Sequence, residues 1–110
     1  MVTSATRVWV AGHARRPRPL IERLVAGGVR PAEGPIDLAV IAAVSAEELA
    51  HFVQKVARRF HAGSELWVVC SQAATGPDDP VSLDALGSLG MAVLARAALE
   101  RDWIAVRVSP

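Results

Sequence analysis

The sequence predicts an α/β domain built on a parallel sheet, and three observations predict it. Four short, almost wholly apolar runs (residues 8–11, 37–44, 66–70 and 103–108) read as strands buried on both faces. Segments with helical spacing alternate with them, the pattern of parallel strands joined through helices. The 110 residues are 52% hydrophobic but only 5% aromatic, enough for one core made mainly of Val, Leu, Ile and Ala. The expectation is a single domain over residues 1–110, with about four parallel strands and three helices in two or three layers.

Taken in order, Val8-Trp9-Val10-Ala11 is the first strand and stops at Gly12. A basic loop with two prolines follows over residues 13–19. Leu20, Ile21, Leu24 and Val25 then recur at helical spacing until Gly27-Gly28 ends the helix. Residues 37–44 form the second strand. Ser45 caps the next helix, with Glu48 three positions on completing a capping box. Its apolar stripe is Leu49, Phe52, Val53, Val56 and Phe60, opposite Glu47, Gln54, Arg58 and Arg59, and Ala62-Gly63-Ser64 closes it. The third strand covers residues 66–70, a turn-rich loop 75–80, a long helix 83–100, and the last strand 103–108.

That order carries a topological consequence. Four parallel strands in sequential order, joined by right-handed crossovers, put every helix on one face and leave the other bare. Either the order switches so that helices cover both faces, or a partner covers the exposed side.

Composition excludes several classes of function. A net charge of +1 gives no field for bulk binding to nucleic acid or acidic membrane. The single cysteine, Cys70, excludes an internal disulfide and a cysteine-cluster metal site, and reads as an inert buried thiol. His13, His51 and His61 are too scattered for a metal site, so no metal is expected. No apolar run reaches the ~20 residues of a membrane span. Residues 1–6 lack the basic start and apolar centre of a signal peptide, so the expected location is the cytoplasm.

The first loop is where a dinucleotide-binding fold places its glycines, so that the pyrophosphate can approach a helix N-terminus. Only Gly12 is present, and Arg16, Pro17 and Arg18 fill the later positions, so no nucleotide cofactor is expected. Arg15, Arg16 and Arg18 are instead candidate contacts for an anion, such as a phosphopantetheine phosphate or an acidic acyl carrier protein. The alternative is a solvated basic loop.

Residues 66–110, LWVVCSQAATGPDDPVSLDALGSLGMAVLARAALERDWIAVRVSP, resemble the second half of a short-chain dehydrogenase/reductase. That family ends a strand in a serine, places a tyrosine thirteen positions on and a lysine four further. In that register this chain has Ser71, Asp84 and Ser88, and it contains no tyrosine at all. An aspartate near its usual pKa of ~3.9 is ionised at neutral pH and cannot replace the phenol as proton donor. The resemblance is closer to the non-catalytic structural half of modular polyketide synthase ketoreductases. It rests on Leu66, Trp67 and Val69, on Ala74-Thr75-Gly76-Pro77, on Leu89-Gly90, on Ala98-Leu99-Glu100, and on Trp103 and Pro110, with Phe52-Val53-Gln54 ahead of them. It covers about half the chain and implies a truncated Rossmann-like domain that binds no cofactor and braces a reductase or synthase partner.

The long helix adds a binding signal. Residues 89–95 are apolar on every side, and Gly87, Gly90, Ala92, Ala95 and Ala98 permit close helix approach. The resemblance implies a four-helix subunit interface here, with Phe52, Val56, Phe60, Gly90, Met91 and Leu94 as contacts. The expected function is that of a pseudoenzyme: a structural or accessory subunit that forms homo-oligomers or pairs with a reductase or synthase component. The alternative is a small cofactor-independent acid–base enzyme acting on a polyketide-like substrate through Ser71 and Asp84, with His13.

Overall fold

The computed structural model describes residues 2–72, 76–100 and 102–109. Its elements run β1 (Val8–Ala11), α1 (Arg18–Leu24), β2 (Ile36–Ile41), α2 (Ala46–Ala57), β3 (Phe60–Ser71), α3 (Asp84–Ser88), β4 (Ala92–Ala98) and β5 (Trp103–Ser109). The five strands form one sheet in the order β1-β2-β3-β5-β4. The expected parallel sheet of four strands is therefore corrected to a mixed sheet of five. β1, β2 and β3 are parallel, and β5 lies antiparallel between β3 and β4.

The largest correction concerns residues 83–100, which are not one helix. α3 lasts five residues and stops in a Schellman turn at Gly90 (φ +72°). There the Gly90 amide donates to the Gly87 carbonyl at 3.1 Å and the Met91 amide to that of Leu86 at 3.0 Å. The chain then leaves as β4 and pairs with β5 from Ala92↔Ser109 to Ala98↔Ile104. Gly90, Met91 and Leu94, expected on a contact helix, are a helix stop, the residue after it, and a position in an edge strand.

α2 forms as its sequence predicts at its start and ends earlier than expected. The Glu48 amide donates to Ser45 Oγ at 3.1 Å, which caps the helix. Phe60 lies four residues after Val56 but no longer belongs to the helix. Arg59 pulls the chain away, donating to the carbonyls of Gly34 and Pro31, while the Ile36 amide donates to the Arg59 carbonyl. Phe60, expected on the helix, and Ala62 to Ser64, expected as its stop, belong to β3, and Ser64 Oγ donates to the Ile36 carbonyl at 2.6 Å.

Alternation along the strands makes two cores. On one face, α2 and α3 lay Leu49, Val56 and Leu86 over Ala39, Ile41, Leu66, Val68, Cys70, Ile104 and Val106. On the other, α1 lays Ile21 and Val25 over Val8, Val40 and Val69. Local right-handed crossovers in a sequential order would put α1 and α2 on the same face. They lie on opposite faces because the chain after α1 passes round the outer edge of β1. Val29 pairs there in parallel with Arg7 before the chain enters β2. α1 is only seven residues long, so it covers the β1–β2 side of its face and not the rest.

Candidate functional site

Open α/β sheets bind ligands at the carboxyl ends of their strands. In this protein that end is filled by its own loops. The Ala14 amide donates to the Ala42 carbonyl at 2.9 Å, and the Arg15 amide to the Asp78 carbonyl at 2.9 Å. Gly12 (φ +114°) runs so close to β2 that a Cβ there would sit 2.2 Å from the Ala42 oxygen. Across the strand ends, the Val81 amide donates to Ala43 and the Ser71 amide to Val81. The backbone amides that would cradle a phosphate are thus already bonded within the protein.

The three candidate arginines separate in this environment. Arg16 pairs with Asp79 at 2.8 Å and lies 5.4 Å from the centre of the Trp103 ring. Arg18 pairs with Glu22 at 3.3 Å and donates to the Gly12 carbonyl. Arg15 is exposed and has no ion pair among the described residues. Asp79, which the sequence shows only as a turn residue, is buried and also accepts from the Gly76 amide at 2.9 Å. It ties the loop after β3 to the loop after β1.

The acid–base candidates are held in different settings. Ser71 is buried at the end of β3, and Asp84 is exposed in the first turn of α3. His13 is engaged elsewhere: its ring Nδ1 lies 2.7 Å from Glu48 Oε2, and its amide donates to Glu48 Oε1 at 2.8 Å. Burial pushes the Glu48 carboxyl up, but the hydrogen bonds from the His13 side chain and backbone outweigh it and hold the pKa below the ordinary 4.5. Glu48 therefore joins α2 to the first loop instead of closing its capping box on Ser45. Among the predicted contacts, Val56 is fully buried in the core and Phe52 and Phe60 pack against it. His51 is exposed with its ring against Phe52, and no cluster of potential metal ligands forms among the described residues.

Two open surfaces stand out among the described residues. The first is a groove of about 540 Å³ on the α1 side of the sheet, beyond the reach of α1. Leu38, Val40, Trp67, Val69 and Ala105 form its floor, and Ile21, Leu24 and Val25 one wall. Asp37 and Glu65 border it at the level where β2 begins. Asp37 accepts from the Arg7 amide at 2.9 Å and lies 2.6 Å from His61 Nε2; these contacts, the backbone one foremost, hold its pKa below 3.8. The Gly63 amide donates to His61 Nδ1, so the proton in that pair sits on Nε2, towards Asp37. Trp67 Nε1 donates to Glu65 at 3.2 Å, and Arg107 lies 3.5 Å from the same carboxylate. The sequence showed this site only as a bare apolar face, because its walls come from segments far apart in the chain.

The second open surface is β4. All seven of its residues are exposed, Leu94 at 58%, and among the described residues only β5 pairs with it. A register shift between Val93 and Ala95 places one extra residue in the strand.

No protein-family model and no curated protein matches this chain. No helix among the described residues is long and apolar enough to cross a membrane. Within the stretch that resembles the ketoreductase structural half, Ala74, Thr75 and Pro110 lie outside the described residues.

Proposed function

We propose that this chain is a non-catalytic accessory domain, a truncated Rossmann-like scaffold that works by association. Its partner is a second copy of itself or a reductase or synthase component of polyketide-type biosynthesis in the cytoplasm. The observation that supports this reading is β4, an apolar strand exposed along its whole length at a free sheet edge. Monomeric proteins blunt such edges with several charges, proline, a bulge or a covering segment. β1, the other edge, has one in the chain around Val29. β4 carries a single charge, Arg96, and its bulge. The partner's class comes from the family resemblance alone, and the commitment of His13 to Glu48 counts against the acid–base alternative.

Sedimentation equilibrium tests the association. The expected result is a particle heavier than one chain, either alone or when mixed with the reductase or synthase component. Leu94→Glu, at an exposed site, should return it to the monomer without altering the circular dichroism. A strict monomer that forms no complex with such a component overturns the reading.

A further inference from the structure

We propose that the groove on the α1 side of the sheet is a binding site for a lipophilic amine, an aliphatic body carrying one ammonium group. At about 540 Å³ it falls within the range of small-molecule pockets, roughly 300–1,000 Å³. Its floor, from Leu38 to Val69, is aliphatic apart from the Trp67 ring, and so takes a hydrocarbon. Thr3 and Thr6 add hydroxyls to the lining, but its charged groups are of one sign. Asp37 and Glu65 border the groove, and no Lys, Arg or His is among its lining residues.

That asymmetry selects the head group. A carboxylate amphiphile would meet two negative charges with no cation in the lining to receive it, and like charges at close range repel. An ammonium group would form charge-assisted hydrogen bonds, which are about twice as strong as neutral ones. Each carboxylate has roughly four lone-pair positions, and the internal contacts of Asp37 and Glu65 do not fill them. Among the described residues Arg107 is the cation paired with Glu65, but at 3.5 Å and 42% exposure it is a weak, solvent-screened competitor.

Titration calorimetry of the intact protein with octylamine, octanol and octanoate tests the site. Octylamine should bind saturably, one per chain, and at least about tenfold more tightly than either of the others. Glu65→Gln should remove about tenfold of that affinity, and added salt should weaken it. Ala97→Trp, an exposed position on the groove's β4 side, should block binding while leaving the circular dichroism unchanged. The proposal is overturned by octanoate or octanol binding as tightly as octylamine, by an undiminished affinity in Glu65→Gln, or by no saturable binding at all.

Discussion

At the residue scale, a few residues hold the loops at the carboxyl ends of the strands. Gly12 is one, because its backbone needs a positive φ and the Ala42 carbonyl occupies the space of a side chain. Gly12→Ala should cost about 3 kcal/mol or more, read as a lower midpoint in urea denaturation. Glu48 is another, since one carboxylate accepts from the His13 ring and from the His13 and Val44 amides. Glu48→Gln should cost about 1.5–3 kcal/mol, the range for hydrogen bonds to a charged group. Cys70 has no such role. Burial pushes its thiol up to about 12, so it should stay unlabelled by a thiol reagent at pH 8 until the protein unfolds.

At the scale of elements, the glycines around α3 separate two effects. Gly90 has φ +72° and open space around its Cβ position, whereas Gly87 lies inside α3 with a similarly open flank. Gly90→Ala should therefore destabilise by about 1 kcal/mol through backbone strain. Gly87→Ala should stabilise by about 0.5–1 kcal/mol through helix propensity. Thermal melts of the two variants should move in opposite directions, and melts moving together would refute the Schellman turn. A glycine followed by an apolar residue is the sequence signal of such a turn, but the helix expected over residues 83–100 runs through Gly90. The signal is masked by the run after it, because Ala92 to Ala98 is alanine-rich and suits a helix when read alone. Only the hydrogen bonds to β5, the next element in the chain, make it a strand. α2 shows the reverse case, in which the cap and apolar stripe agree with the tertiary packing until Arg59 finds its carbonyl acceptors.

At the scale of the whole molecule, carboxylates couple the fold to pH. Glu22, held down first by its hydrogen bond from Arg30, has a depressed pKa, as do Asp37 and Glu48. A depressed folded-state pKa stabilises the native state above the unfolded value, and that stability is lost as pH falls through the folded value. The unfolded values are about 4.5 for the glutamates and 3.8 for the aspartate. The melting temperature should therefore hold steady from pH 7 to 5 as far as these groups are concerned, and decline below 4.5. Glu48→Gln should flatten part of that decline.

The sequence by itself determined the four apolar strands and the capped start of the second helix. Each depends on residues close together in the chain, where periodicity and steric limits act directly. Tertiary structure decided the rest: the conversion of residues 92–98 into an edge strand, the burial of Asp79 beneath Arg16, and the half-covered face that leaves the groove. Those features depend on partners outside the segment itself: the neighbouring β5 for the edge strand, and distant parts of the chain for Asp79 and the groove. No local pattern of apolar and polar residues encodes which distant segment will supply them.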